Sequence, residues 1–276
     1  MAAIAARRGF GFALPALALL VAFFVMPVMW LLLRSVTEPG LGFQNYATLF
    51  GTATYAKVFL NTFMVAGIVT VITLLLAFPV AWALVILPPR WSMVLFAIVI
   101  LSMWTNLLAR TYAWMVLLQR TGLVNQILMG LGITDAPLEL VNNLIGVTIG
   151  MVYIMLPFMI LPIYGVIRQI DASVLQAASL CGATRWQALW RVLLPLCVPG
   201  IASGVLMVFV MALGYYVTPS LLGGTSHMML AELIAQLVQS LVNWGLGGAA
   251  AFVLLVATLA LYALQIRLVG LPKGAQ

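Results

Sequence analysis

Six long, largely apolar runs divide this chain, and each is long enough to cross a lipid bilayer as an α-helix. A hydrocarbon core about 30 Å thick needs about 20 residues of helix. The runs are continuous rather than alternating, which excludes a transmembrane β-barrel. A soluble domain with 65% hydrophobic residues would expose large apolar patches and aggregate. We therefore expect an all-α polytopic membrane protein, a single transmembrane domain over residues 1–276, with spans at about 10–33, 59–87, 91–118, 144–167, 200–222 and 246–266.

Basic residues are distributed unevenly between the two ends of these spans. A chain that starts in the cytoplasm has eight of them on the cytoplasmic side: Arg7, Arg8, Arg90, Arg168, Arg185, Arg191, Arg267 and Lys273. The opposite side has four: Arg34, Lys57, Arg110 and Arg120. Because lysine and arginine favour cytoplasmic loops, both termini are predicted to lie in the cytoplasm. The bases are dispersed over loops, so no nucleic-acid partner is indicated.

Two pairs of glycines have the spacing of close helix–helix contacts. Gly146 and Gly150 lie four residues apart in the fourth run, and Gly200 and Gly204 do so at the start of the fifth. Glycines at this spacing share one helix face and let a neighbouring backbone come near. We expect both pairs to lie at helix interfaces.

The segment between the fourth and fifth runs, residues 168–199, has the signals of two short helices. Ser173 and Gln176 have the spacing of a capping box, and so do Thr184 and Gln187. Gly182, between them, can end the first helix, because glycine adopts the left-handed conformation without a Cβ clash. The sequence therefore predicts a helix, a glycine turn and a second helix.

An apolar stripe and several prolines follow the second capping box. The stripe repeats at helical spacing and comprises Trp186, Leu189, Trp190, Leu193 and Leu194. Pro195 and Pro199 are expected to break the chain before the fifth span. Two short helices on a membrane surface suit either a docking element or an amphipathic connector that rests on lipid.

The same segment resembles a known loop. Gln176-Ala177-Ala178, Gly182-Ala183, Leu194-Pro195 and Pro199-Gly200-Ile201 resemble the cytoplasmic coupling loop of the permeases of binding-protein-dependent ABC importers. The family usually has an acid where this chain has Gln176, and another where it has Leu180. The resemblance implies a type I importer permease of the bacterial inner membrane. It also implies that the coupling residues are Gln176, Ala177, Gly182, Ala183, Arg185 and Pro195.

Groups that carry enzyme chemistry are scarce. The chain has no G-x-x-x-x-G-K-[ST] phosphate loop, and its single histidine, His227, makes neither a metal site nor a catalytic set. We expect a transporter subunit that is not an enzyme and holds no cofactor, with ATP and Mg²⁺ bound by a partner ATPase. Ion-coupled carriers usually keep ionisable residues inside their spans. Here only Arg110 and Glu232 lie near span ends, which disfavours an ATP-independent secondary carrier.

Polar and aromatic residues within the spans are the candidates for a solute pathway. They are Trp104, Asn106, Arg110, Tyr112, Tyr153, Tyr215 and Tyr216. The alternative is an interfacial belt, because Trp and Tyr concentrate at the membrane surface on physical grounds. Asn106 and Arg110 fit the belt least well, since both are costly against lipid.

The longer motifs resemble the spermidine/putrescine-type branch of these permeases. They are Trp104-Thr105-Asn106, Arg110-Thr-Tyr112-Ala-Trp114, Leu156-Pro157-Phe158-Met159 and the stretch from Tyr215 to Gly224. The branch implies a polyamine or related amino compound as solute. Its partners would be a second permease in a heterodimer, an ATPase dimer and a periplasmic solute-binding protein. An acid expected beside the Thr218-Pro219 segment is absent, so an opine or another small organic acid or amino compound remains open.

Overall fold

The computed structural model describes residues 14–224 and 227–269, and all regular structure in these ranges is helical. The predicted all-α fold is confirmed. Arg7, Arg8, Lys273 and the first residues of the first predicted span lie outside the described residues. The helices are α1 Leu14–Thr37, α2 Gln44–Gly51, α3 Ala53–Ile86, α4 Pro89–Trp104, α5 Leu107–Leu118, α6 Leu123–Gly130, α7 Leu144–Ile167, α8 Ala172–Leu180, α9 Arg185–Leu213, α10 Val217–Leu222, α11 Leu230–Gln239 and α12 Trp244–Val269.

Five of these helices are each long and apolar enough to cross a membrane, namely α1, α3, α7, α9 and α12. Helix α4 and the stretch Leu107–Gly130 reach that length only together, and they are bent by 101° at the break between them. The six expected spans are therefore found when this bent pair counts as one. The prediction of a continuous third span over residues 91–118 is wrong, because the chain leaves the helix at Thr105 and Asn106.

The prolines before the fifth span do not break the chain as predicted. Helix α9 is continuous through Pro195 and Pro199, and it contains a π-helical turn, Leu189–Leu193. The backbone N–H of Leu194 bonds to Leu189 O, five residues back. This wider turn shifts the hydrogen-bond ladder just before Pro195, whose ring nitrogen donates nothing. The second short helix predicted for residues 168–199 is thus the beginning of a span, and the connection itself is shorter.

A second π turn has the same relation to a proline. Val21–Val25 is π-helical within α1, and Met26 N–H bonds to Val21 O. Pro27 follows directly. In both helices the N–H that closes the widened turn belongs to the residue just before the proline, so the helix continues where a missing N–H would otherwise interrupt it.

The chain forms two compact units. The expectation of one transmembrane domain stays a prediction. The smaller unit comprises residues 14–56 and 233–256. Arg34 lies 3.5 Å from Glu38, between Nε and Oε1, and its guanidinium is 5.1 Å from the Trp244 ring centroid. The buried Asn45 amide donates to Ser35 O at 2.9 Å and to Glu38 O at 2.6 Å. These contacts supply partners for the polar groups of an otherwise apolar unit.

The larger unit comprises residues 57–224, 227–232 and 257–269, and its core is the contact between α7 and α9. Fully buried side chains of α7 fill this contact: Met151, Met155, Met159, Ile160 and Ile163. On α9, Gly200 and Gly204 face them. A Cβ at Gly200 would lie 2.9 Å from Pro162 O, and one at Gly204 would lie 2.8 Å from Met159 Sδ. The predicted close approach at this pair is confirmed.

The other glycine pair faces helix α10. A Cβ at Gly150 would lie 2.7 Å from Leu222 Cδ1 and 2.7 Å from Thr218 Cγ2. One at Gly146 would collide with the carbonyl oxygen of Leu140. This pair is also confirmed as an interface, and it places α10 against α7.

A single methyl group at Gly200 is expected to destabilise the larger unit. Gly200→Ala pushes against the Pro162 carbonyl and the Val166 side chain, and such overpacking costs about 1–3 kcal/mol. The melting temperature of the purified protein in detergent should fall by several degrees. Gly67→Ala is the matched control, because nothing lies within 4 Å of its added Cβ and alanine favours helix. Equal melting temperatures for the two variants would contradict this assignment.

Candidate functional site

Helix α8 lies between α7 and the start of α9. We call this connection together with the first turns of α9, residues 168–190, the elbow. Asp171 is the N-cap of α8, and its carboxylate accepts a hydrogen bond from Ser173 N at 2.9 Å. The hydrogen bonds from the Ser173 backbone and side chain lower the pKa of Asp171. The predicted capping box of Ser173 and Gln176 is therefore wrong. The helix begins two residues earlier, because a carboxylate is a strong acceptor at the positive end of the helix dipole.

Helix α8 ends in a Schellman motif at Gly182, as its position predicted. Gly182 has a φ of +82°. Ala183 N bonds to Ala178 O at 3.0 Å, and Gly182 N bonds to Ser179 O at 3.0 Å. These two hydrogen bonds satisfy carbonyls that the end of a helix leaves free. Since nothing lies within 4 Å of a Cβ at Gly182, the requirement for glycine comes from the backbone conformation alone.

The start of α9 is held by the second predicted capping box, which is confirmed. Gln187 N donates to Thr184 Oγ1 at 3.3 Å, and Thr184 N donates to Gln187 Oε1 at 2.9 Å. The C-terminal cap of α8 and the N-terminal cap of α9 thus lie next to each other, around Gly182 and Ala183. The elbow keeps its shape through its own hydrogen bonds, without contributions from a partner.

The elbow presents apolar side chains to its surroundings. Leu180 is 89% exposed, and the rings of Trp186 and Trp190 pack edge to face at 5.5 Å while both remain exposed. The predicted apolar stripe differs in exposure along its length, because Trp186 and Trp190 are exposed whereas Leu193 is buried. Beside the elbow lies a concavity of about 270 Å³, lined by residues that include Cys181, Gly182 and Arg191. A surface of this kind can receive another protein.

The predicted coupling residues do not all lie on this elbow. Gln176, Ala177, Gly182 and Arg185 are exposed on it, and Ala183 is half-buried there. Pro195 lies farther along the continuous helix α9, beyond the π turn. The structure thus brings five of the six together and places the sixth in the span.

The break in the third span is built from the polar residues that the sequence offered as a solute pathway. Asn106 is the N-cap of α5, and its Oδ1 accepts from Leu108 N at 2.9 Å and Ala109 N at 3.2 Å. At the end of α4, the Ser102 carbonyl accepts from Thr105 Oγ1 and from Arg110 Nη1, both at 2.8 Å. Backbone groups freed by the bend are thus satisfied by nearby side chains, as a membrane interior requires.

Helices α5 and α10 meet beside this break. The buried hydroxyls of Thr111 and Thr218 are 3.3 Å apart, and the half-buried Tyr215 lies between α9 and α10. Helix α10, which carries Thr218, therefore packs against α5. The Arg110 guanidinium near this contact has one buried nitrogen, Nε, without a hydrogen-bond partner among the described residues.

The remaining pathway candidates are more dispersed. Tyr153 packs edge to face on Trp114, with ring centroids 5.7 Å apart. Trp104 is 85% exposed, and Tyr112 and Tyr216 are exposed as well, as residues of an interfacial belt would be. The structure therefore brings Tyr153 to Trp114, but it does not gather all seven candidate residues at one site.

Sequence reasoning missed one polar anchor in the larger unit. The buried Thr62 hydroxyl of α3 accepts a hydrogen bond from Leu230 N at 2.8 Å and holds the start of α11. A threonine within a long apolar run gives no signal of such a long-range partner. Within residues 14–224 and 227–269, no group of three or more His, Cys, Asp or Glu side chains could hold a metal ion.

Five helices of membrane-spanning length and one bent pair of helices define a polytopic membrane protein. The sequence model described as "Binding-protein-dependent transport system inner membrane component" matches residues 1–269. The chain belongs to this family, and it is therefore a multi-pass inner membrane protein.

Relatives with assigned roles are similar over most of the chain. The spermidine/putrescine transport system permease protein PotB of Haemophilus influenzae is 39% identical over 206 residues, which cover 75% of this chain and 72% of that protein. The PotB protein of Escherichia coli is 34% identical over 213 residues, 77% of each chain. The inner membrane ABC transporter permease protein YdcU of E. coli is 34% identical over 207 residues, which cover 71% of this chain and 66% of that protein.

Solved structures share the fold at low sequence identity. A bacterial alginate ABC transporter in complex with an alginate pentasaccharide-bound periplasmic protein has a TM-score of 0.77 and 19% identity, covering 94% of this chain and 92% of that chain. The MetNI methionine ABC transporter in an inward-facing conformation has a TM-score of 0.58 and 17% identity, covering 88% and 96%. The predicted importer-permease architecture is confirmed.

Loss of the Asn106 cap is expected to weaken the bent span. Asn106→Ala leaves the amides of Leu108 and Ala109 without their acceptor, and loss of an N-cap costs about 1 kcal/mol. Asn106→Ser retains a capping oxygen and serves as the control. Thermal unfolding in detergent should rank the alanine variant below the serine variant and wild type. Identical melting of the alanine variant and wild type would disprove the capping role.

Proposed function

We propose that this chain is one permease subunit of an ATP-driven importer whose solute is a polyamine such as spermidine or putrescine. The observation that carries the proposal is the 39% and 34% identity to spermidine/putrescine transport system permeases over about three quarters of their length. The tyrosine and tryptophan side chains around α5 support it, because protonated amines bind favourably to aromatic faces.

The proposed assembly contains a second, different permease, a dimer of ATPases and a periplasmic solute-binding protein. ATP and Mg²⁺ would be held by the ATPases, because this chain has no phosphate-binding loop. We assign both termini and the α8 elbow to the cytoplasm from the distribution of the basic residues. This orientation puts the elbow on the side where ATP is available.

In this proposal the elbow receives the movement of the ATPases and passes it to α9. Helix α9 continues from the elbow through 29 residues, so a displacement of Arg185 acts directly on a span. The usual acids are replaced by Gln176 and by the exposed Leu180. We therefore expect apolar and hydrogen-bonded contacts to the ATPase rather than ion pairs. The span bundle would alternate between outward-facing and inward-facing states whose populations ATP and the loaded binding protein shift.

A second candidate solute is an opine-like amino compound with a carboxylate. The buried Arg110 Nε without a partner favours it, because a carboxylate could supply the missing acceptor. For a polyamine, Arg110 is instead a residue that stabilises the break through Ser102 O. Residues that we propose for the pathway itself are Trp104, Asn106, Arg110, Tyr112, Tyr153, Tyr215 and Tyr216.

Reconstitution separates these solutes and also tests the need for ATP. Proteoliposomes with both permeases and the ATPases are supplied with the binding protein and radiolabelled spermidine, putrescine or an opine. We expect ATP-dependent uptake of the polyamines, with none for the lone chain. ATP-dependent uptake confined to the opine would support the second candidate. Uptake by the lone chain without ATP would identify a secondary carrier and overturn the proposal.

Gly182 is the residue on which we expect coupling to depend. Gly182→Leu forces a side chain into the left-handed conformation at a cost of about 1–2 kcal/mol. The elbow should then shift, and ATP hydrolysis should continue with less solute moved per ATP. Gly182→Asn is the control, because asparagine tolerates this conformation and no neighbour restricts its Cβ. Transport by Gly182→Leu at the wild-type ratio would refute the role of this elbow.

A further inference from the structure

The chain has five acidic residues, and four of them are accounted for by their surroundings. Glu38 pairs with Arg34, and Glu139 pairs with Arg120. Asp171 caps α8, and Asp135 is exposed in the loop after α6. The fifth acid, Glu232, has no basic partner within 4.0 Å among the described residues.

Glu232 lies in the first turn of α11, with one carboxylate oxygen enclosed by protein. Its Oε2 atom is buried and has no partner within the described ranges. Burial raises the pKa of Glu232, because a carboxylate is less stable away from water, and the backbone N–H of Met229 opposes this shift only in part. The fold of the described residues therefore uses no hydrogen bond to Oε2.

The residues beside Glu232 are buried. Met229 and Leu230 are fully buried, and Leu230 N is bound to Thr62 Oγ1 on α3. His227, just before α11, also has a buried nitrogen, Nδ1, without a partner in the described part of the chain. Buried polar groups are normally satisfied, so these two atoms near the start of α11 are candidates for binding a ligand.

Aromatic rings lie on the segment of α3 that holds α11. Phe59 and Phe63 flank Thr62 in the sequence and stack with centroids 5.9 Å apart. Phe63 also contacts Phe209 of α9, at 6.3 Å. Phenylalanine faces and a desolvated carboxylate are the groups that recognise an alkylammonium ion.

We propose that Glu232 is a specificity-determining residue whose free carboxylate oxygen receives a protonated amine of the transported solute. The proposal rests on the proposed function, since it names the residue that recognises a cationic solute. The motif around Thr218 lacks the acid expected of a polyamine permease, and Glu232 on α11 would supply that anionic group instead. Oε2 is closed off from solvent in this conformation, so the amine reaches it when the bundle opens during the transport cycle.

Glu232→Gln isolates the charge. Glutamine has the same size and retains an acceptor oxygen, so the shape of the side chain is preserved while the negative charge is lost. The complete reconstituted importer is supplied with binding protein and radiolabelled spermidine. A hydrogen bond between two charged groups in a desolvated site supports a loss of uptake of about tenfold or more. ATP hydrolysis stimulated by the loaded binding protein should stay within about twofold of wild type, because coupling is untouched.

Two further variants complete the experiment. Glu232→Asp keeps the charge and should retain more uptake than Glu232→Gln. Asp135→Asn removes one charge from an exposed loop and should leave uptake unchanged. Unchanged uptake by Glu232→Gln would overturn the proposal. So would equal losses in the Gln and Asp variants, or a parallel loss of ATP hydrolysis, since these results assign a structural role to the carboxylate.

The wild-type complex distinguishes this inference from the proposed function. If wild type imports no polyamine, the proposed function fails before any variant is compared. If wild type imports spermidine and Glu232→Gln imports it equally well, only the role of Glu232 fails.

Discussion

In a bilayer, every backbone N–H and C=O must find its partner within the protein, and the interruptions of this fold follow from that requirement. At the bend of the third span, Asn106 satisfies the amides that begin α5, while Thr105 and Arg110 satisfy the Ser102 carbonyl. At Pro195, the π turn Leu189–Leu193 shifts the ladder so that the helix continues. At the bend, polar side chains are therefore engaged in hydrogen bonds to the backbone. Polar atoms without such bonds remain able to bind a solute.

The elbow is held by local hydrogen bonds of its own. Asp171 and Gly182 close the two ends of α8, and the Thr184–Gln187 capping box begins α9. Helix α9 then continues without a break to Leu213. Gln176 and Leu180 are exposed and take part in none of these capping bonds, so the geometry of the elbow does not depend on acids at those two positions.

Charged residues are few in this chain, and two ion pairs form among the described residues. Arg34 with Glu38 and Arg120 with Glu139 are local pairs, each formed within its own compact unit. Arg110 Nε and Glu232 Oε2 differ from these, because each is buried without a partner in the described ranges. The two groups have opposite charge and would favour solutes of opposite kind.

The all-α membrane fold, the approximate spans, the glycine turn at Gly182 and the capping box at Thr184 could all be predicted from the sequence. These features depend on the hydropathy of continuous runs and on hydrogen bonds between residues a few positions apart. The sequence also predicted that Gly200 and Gly204 face another helix. The predictions failed at Ser173 and Pro195, where a stronger cap two residues earlier and a π turn prevailed, and at Asn106, where the chain bends within an apolar run. The anchoring of Leu230 on Thr62 and the isolation of Glu232 Oε2 were visible only in the folded chain, because each depends on which distant groups meet once the helices pack.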